Sequence, residues 1–218
     1  QGDFLLALRR YSPAQGRRIA AAFAQSPQLG TLRPDEVRVA FAKWPRAVFE
    51  VMEPAFDAAL AANERKHGKL DGLAQSAAQQ GRPAEGAKLF AAGQGACIAC
   101  HRVGETGGQV GPNLSRIGAI RTERELVESI LFPGNTIARD YELHDVETSD
   151  GQHHLGLIRS REAAGLVLID AAGQPKTLPH PSIVAEKEVA TSLMPAGLDA
   201  AFQPQELLDL VAWLRSLR

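Results

Sequence analysis

Apolar residues recur at helical spacing through the first third of the chain, where polar residues fill the positions between them. This pattern predicts four helices. They run from Pro13 to Gln25, from Arg33 to about Lys43, from Pro45 to about Lys66, and from about Leu70 to Gln79. Ser12 is the expected N-cap of the first helix, with Pro13 at its first position. Met52 belongs to the broad apolar face of the third helix, which favours core packing for its thioether.

A different pattern begins after Gly81–Pro83, which we interpret as a hinge. Short helices are expected around Ala84–Phe90, after Thr122, and from Gln205 to Leu217. The second of these has Glu125 three residues after Thr122, which is the spacing of a capping box. Between them, residues 140–190 alternate in polarity as strands do and contain hairpin signals such as Ser149–Gly151.

These elements predict a mainly α protein with two parts. Residues 1–82 form a helical region, and residues 83–218 form a helical domain with a small antiparallel β insert at about 140–190. The distribution of charge supports this boundary. The first 82 residues carry 12 basic and 8 acidic side chains, a net of +4, whereas the whole chain has a net charge of −1.

Composition narrows the class of protein. With 44% hydrophobic and 22% charged residues, the chain of 218 residues is expected to be globular. The net charge near zero argues against nucleic-acid binding, and no segment approaches the length of a membrane span. Because residue 1 is Gln, we expect a processed product or a piece of a longer protein.

The chemistry is concentrated in Cys97-Ile98-Ala99-Cys100-His101. Two thiols three positions apart, followed directly by an imidazole, form the attachment pattern for c-type haem. The thiols would bond to one porphyrin, and His101 would be the proximal iron ligand. Zinc is an alternative, but the chain has no other cysteine to complete such a site. A thioredoxin-like redox pair is a second alternative, and it would need a strand before the motif.

Met194 is the candidate for the second axial ligand, because it lies in a loop, is followed by Pro195, and competes only with Met52 among methionines. A thioether stabilises ferrous iron and raises the reduction potential. The open alternative is a haem with two histidine ligands. The histidines available for it are His144, His153, His154 and His180.

The stretch from about Ala84 to Arg218 resembles the cytochrome c family. The resemblance rests on the haem motif and on four flanking segments, which are Gly86 with Phe90, Gly111–Leu114, Met194-Pro195 and Leu207–Leu214. More narrowly, the chain is similar to the variant first noted in planctomycetes and verrucomicrobia, in which strands separate the proline loop from the methionine. The segments on which this narrower similarity rests are His101–Val103, Gly111–Ser115, Thr148–Gly151 and Ser192–Leu198.

The resemblance implies several roles. The carbonyl of Pro112 should accept a hydrogen bond from His101, Leu114 should pack on the haem, and Gly86 should let two helices cross closely. The domain of this variant often ends a longer chain that carries a dehydrogenase.

The functional expectation is electron transfer through one covalent haem c with His101 and Met194 as ligands. The partners would be an upstream dehydrogenase and a downstream cytochrome or oxidase. The chain itself is expected to be a carrier, not an enzyme, and no catalytic residues are assigned. Because haem attachment takes place outside the bacterial cytoplasm, a periplasmic or other extracytoplasmic location is expected. The alternative is a haem enzyme or gas sensor with an open or labile distal site, and a third reading makes the β insert a docking module.

Overall fold

The computed structural model describes residues 12–26, 29–31, 37–38, 41–42, 44–189 and 191–218. Two compact units divide the chain, Gln1–Lys69 and Leu70–Arg218. The second unit begins at the fourth predicted helix, whereas the sequence pattern placed that helix with the N-terminal region, which was predicted to end at residue 82. The reason is packing, because Leu70 and Ala77 are buried in the core of the second unit.

The first unit is helical in its described residues. Its elements are α1 (Pro13–Ala24), a 3₁₀ turn (Leu29–Thr31), α2 (Arg46–Phe49) and α3 (Glu53–His67). Ser12 caps α1, and its partner in the capping box is Gln15. Most of the helix predicted from Arg33 to Lys43 falls outside the described residues.

The prediction of one helix from Pro45 to Lys66 is wrong, because a turn at residues 50–52 separates helix α2 from helix α3. Pro54 lies in the first turn of α3, where the N–H that proline lacks has no helical partner in any case. Met52 lies at this break, and it is fully buried beside Val48 and Phe56. Its thioether is therefore part of this core, as predicted.

Six helices belong to the second unit. They are α4 (Leu70–Gln80), α5 (Pro83–Ala91), α6 (Cys97–Cys100), α7 (Ile117–Ile120), α8 (Glu123–Leu131) and α9 (Pro204–Ser216). The predicted capping box of Thr122 and Glu125 begins α8. Helix α9 is central, because α4, α5 and α8 all pack against it. Leu210 and Val211 of α9 are fully buried there.

The crossing of α5 and α9 depends on a small residue. A Cβ atom on Gly86 would collide with the carbonyl oxygen of Asp209 and lie 2.7 Å from Cβ of Trp213. Phe90, one turn later, stacks on Trp213 with ring centroids 4.8 Å apart. The same crossing holds an ion pair, in which Arg82 donates to the buried carboxylate of Asp209 at 2.6 Å. The close helix crossing expected at Gly86 is therefore present.

A five-stranded antiparallel sheet lies between α8 and α9 in the chain. Its strands are β3 (Leu143–Thr148), β4 (His153–Glu162), β5 (Gly165–Ile169), β6 (Pro175–Leu178) and β7 (Ile183–Val189). The spatial order is β6-β5-β4-β3-β7, so four strands form a meander and β7 returns to the free edge of β3. Two short strands, β1 (Arg102–Val103) and β2 (Thr106–Gly107), pair separately.

The fold class is confirmed in outline. Helices account for about 49% of the structure and strands for 18%, so the protein is mainly α, but the sheet is larger than the small insert predicted. Strand β6 begins with Pro175, and proline is confined to the edges and first positions of sheet strands. Pro175–Thr177 are exposed at the edge of the sheet, and such an edge strand carries little apolar alternation.

Candidate haem-binding site

The two thiols of the motif lie on a single helical turn. Helix α6 begins at Cys97 and ends at Cys100, which places both side chains on neighbouring positions of one helix face. Both cysteines are free and half-buried. Burial raises the pKa of the Cys97 thiol, so its protonated form is favoured at neutral pH. The pair is therefore available for bonding to one planar group above this turn.

His101 leaves the helix with an extended backbone, and its imidazole is fixed by one hydrogen bond. Its Nδ1 lies 2.8 Å from the carbonyl oxygen of Pro112. A carbonyl can only accept, so Nδ1 carries the proton and Nε2 keeps its lone pair. Burial also lowers the pKa of His101, which favours the neutral ring that binds metals. The hydrogen bond expected from the family resemblance is present.

The loop after the motif folds back onto this ring. The N–H of Gly111 donates to the carbonyl of Cys100, and the N–H of Gly108 donates to that of Ile98. A Cβ atom on Gly111 would lie 2.6 Å from Cε1 of His101. The absence of a side chain therefore lets the loop backbone lie against the imidazole. Gly111 belongs to the Gly111–Leu114 segment of the family resemblance, but its contact with the His101 ring was not predicted.

Sequence-distant apolar side chains share one core next to the thiols. Met194 and Leu114 are half-buried, and both pack against the same hydrophobic cluster as Cys97. Met194 lies in the loop that follows β7, as predicted, and its N–H donates to the Oγ of Ser192 at 3.1 Å. The structure thus brings Met194 to the core that the haem motif also touches.

These residues fit a covalently bound haem. Two free thiols on one helical turn, an imidazole with an available Nε2 and a half-buried thioether are the donors that such a group requires. A zinc site gains no comparable support, because the described residues contain no group of three or more His, Cys, Asp or Glu side chains arranged around a metal ion.

The other candidate histidines lie in or beside the sheet, and each has a polar partner there. His153 Nδ1 is 3.0 Å from a carboxylate oxygen of Asp145, and His180 Nε2 is 2.8 Å from the carbonyl oxygen of Glu162. His154 Nδ1 is 3.0 Å from Nζ of Lys176, and His144 Nδ1 lies 3.3 Å from a carboxylate oxygen of Glu186 without the geometry of a hydrogen bond. Their positions favour a structural role within the sheet.

Comparison with known families agrees with this geometry. Residues 83–156 match the cytochrome c family model. The matched cytochrome c segment begins at α5 and ends within β4, so it contains the thiols, His101 and the Pro112 loop, whereas Met194 and α9 lie beyond it. No curated protein matches the chain significantly. The match makes this segment similar to cytochrome c, a family whose members bind haem c and transfer electrons between redox proteins.

No helix within the described residues is long and apolar enough to cross a membrane.

Proposed function

We propose that the second unit is an electron-transfer domain that carries one haem c, with His101 and Met194 as the axial ligands. The observation that carries this proposal is the hydrogen bond that fixes the tautomer and orientation of the His101 ring. Its Nδ1 proton is bound by the carbonyl of Pro112, so Nε2 is directed as a ligand next to two free thiols. This arrangement supports attachment and ligation at one site.

Each residue around the proposed haem would have a different role. The bound haem supplies one-electron chemistry through the ferric and ferrous states of its iron. Cys97 and Cys100 hold it covalently in both states. The carbonyl of Pro112 orients the His101 ring. Because this carbonyl accepts a hydrogen bond from the Nδ1–H group, it also makes Nε2 a more basic metal ligand. Leu114 and the neighbouring core exclude water, which favours the less charged ferrous state.

Met194 would complete the coordination and raise the potential further, since a thioether is a neutral, soft ligand. If His101 and Met194 both bind the iron, a substrate would have no free site on it. We therefore propose a carrier and not an enzyme, which takes electrons from a dehydrogenase and passes them to another cytochrome or an oxidase. The attachment chemistry supports an extracytoplasmic location.

The affiliation with the planctomycete and verrucomicrobial variant is also a proposal. It is supported by the five-stranded sheet between the Pro112 loop and Met194, which is the arrangement that this variant is expected to have.

A matched pair of methionine substitutions tests the ligand assignment. Met194→Leu and Met52→Leu are the same change of similar volume, but only the first removes the proposed ligand. In the haem-loaded protein, Met194→Leu should abolish the weak far-red ferric band of methionine–iron ligation and lower the reduction potential. Met52→Leu should leave both unchanged, because Met52 is fully buried in the core of the first unit.

An unchanged spectrum in Met194→Leu would refute the assignment of this ligand. Rapid carbon monoxide binding by the reduced wild-type protein would instead indicate an open distal site and a haem enzyme or sensor. Failure of the wild-type chain to bind haem at all would overturn the electron-transfer proposal itself.

A further inference from the structure

A cavity beside the Pro112 loop brings together two arginines that are distant in the sequence. The cavity has a volume of about 170 Å³. Its polar side chains are those of Arg102, Gln109, Asn113, Tyr141 and Arg159. Backbone from Gly108 and Gly111 forms the remainder of the lining, and no carboxylate contributes to it. The site is therefore positively charged and rich in hydrogen-bond donors.

Both guanidinium groups lack a partner within the part of the protein that the structure describes. Among the residues that the structure describes, neither Arg102 nor Arg159 forms an ion pair or a side-chain hydrogen bond. Some other arginines of the same unit are paired, as Arg161 is with Glu186 and Arg82 is with Asp209. Arg102 is half-buried and Arg159 is exposed, and an anion between them would offset the repulsion of two like charges that line one cavity.

The backbone directs each arginine towards this place. Arg102 is held in β1, and its carbonyl accepts a hydrogen bond from the N–H of Leu114. Arg159 is the extra residue of a β-bulge, because Ile158 pairs with Leu168 and Ser160 pairs with Val167. A bulge of this kind re-aims a side chain relative to the regular pleat and is common beside functional sites.

We propose that this cavity is a binding site for a small oxyanion, such as phosphate or a carboxylate. The planar fork of a guanidinium matches two oxygens of such a group, and two such groups lining one cavity would supply both charge and directed hydrogen bonds. The Tyr141 hydroxyl and the Asn113 and Gln109 amides supply neutral donors. This proposal does not depend on the proposed haem function.

Direct binding tests it on the haem-loaded protein. Inorganic phosphate is titrated by calorimetry at fixed ionic strength, and we expect saturable binding at one site. Arg102→Gln and Arg159→Gln should each weaken binding by about tenfold or more, the loss expected for a hydrogen bond between charged groups. Arg18→Gln is the matched control, because Arg18 is exposed in the other unit and should leave binding unchanged.

Arg102→Lys separates geometry from charge, since it keeps the charge but loses the fork, so its affinity should fall between those of the wild type and Arg102→Gln. Circular dichroism of each variant shows whether the fold is kept. Equal loss in Arg18→Gln would indicate nonspecific screening and overturn the proposal. Absence of saturable phosphate binding in the wild type, including absence because a haem carboxylate already fills the cavity, would also overturn it.

A second readout connects the cavity to the iron. Gly111 lines the cavity and lies against the His101 ring, so a bound anion would be close to the proximal ligand. The negative charge should favour ferric iron and lower the reduction potential, and this shift should disappear in Arg159→Gln. This readout rests on the proposed haem function, whereas the calorimetry does not. Phosphate binding without a potential shift would therefore keep the site but remove its link to the haem.

Discussion

The crossing of α5 and α9 provides a quantitative prediction about stability. Gly86→Ala adds one methyl group that would collide with the carbonyl oxygen of Asp209 and approach its carbonyl carbon to 2.6 Å. These are backbone atoms of a packed helix, so no side chain can rotate away to make room. Overpacking of this kind costs about 3 kcal/mol when the obstacle is rigid. The higher helix propensity of alanine adds about 1 kcal/mol to the free energy of unfolding and offsets part of this loss.

The expected net loss is about 2 kcal/mol, or about thirtyfold in the ratio of folded to unfolded protein. The matched control is Gly72→Ala in α4, where the added Cβ would have no neighbour within 4 Å. That variant should gain about 1 kcal/mol from propensity alone. Urea denaturation of the haem-loaded proteins, followed by circular dichroism, measures both free energies of unfolding. The two substitutions should have opposite signs, and a stability gain in Gly86→Ala would refute the close crossing.

Three further predictions concern the second unit. Gly111→Ala should displace the His101 imidazole, which binds the Pro112 carbonyl, and so shift the haem spectrum. Gly134→Ala is the control and should leave the spectrum unchanged, because its added Cβ would have no neighbour within 4 Å. Identical spectra of the two variants would contradict the contact between Gly111 and His101. Asp209→Asn should cost about 2 kcal/mol at pH 7, since it removes the charge from the hydrogen bonds with Arg82. Because Arg82 holds the pKa of Asp209 below its ordinary 3.8, the wild type should lose this advantage as the pH falls through that lowered pKa, and denaturation midpoints from pH 7 to pH 2 would show whether the difference shrinks. Thr122→Ala should cost about 1 kcal/mol through loss of the α8 N-cap, and thermal unfolding that matches the wild type would rule out a stabilising cap.

Local patterns in the sequence predicted the features that local interactions determine. The capping boxes at Ser12 and Thr122 each involve a residue three positions later, so both could be recognised without any knowledge of tertiary structure. The same holds for the one-turn helix of the haem motif. The spacing of Cys97, Cys100 and His101 is by itself the attachment pattern for haem.

Local patterns did not predict the features that depend on tertiary packing, and the two that were expected, the helix crossing at Gly86 and the hydrogen bond of His101 with Pro112, came from the family resemblance. The break at Met52 leaves the apolar spacing of α2 and α3 almost unchanged, so periodicity alone could not reveal it. Pro54 was the available signal. The bulge at Arg159 is a property of strand register, which is decided by the pairing of β4 with β5 and not by either strand alone. The cavity beside the Pro112 loop could not be foreseen for the same reason.

The candidate haem site has two parts that are held in different ways. The proximal part is local, because hydrogen bonds between α6 and the Pro112 loop connect residues close in sequence. The distal part is not, because Met194 follows β7 by five residues, and β7 is placed by its pairing with β3, in which the buried residues Leu143 and Val189 are opposite each other. A change in the register of β7 would therefore move Met194 and leave His101 in place. The register of the sheet would thus affect the proposed distal ligand, and with it the potential, without disturbing the thiols and His101.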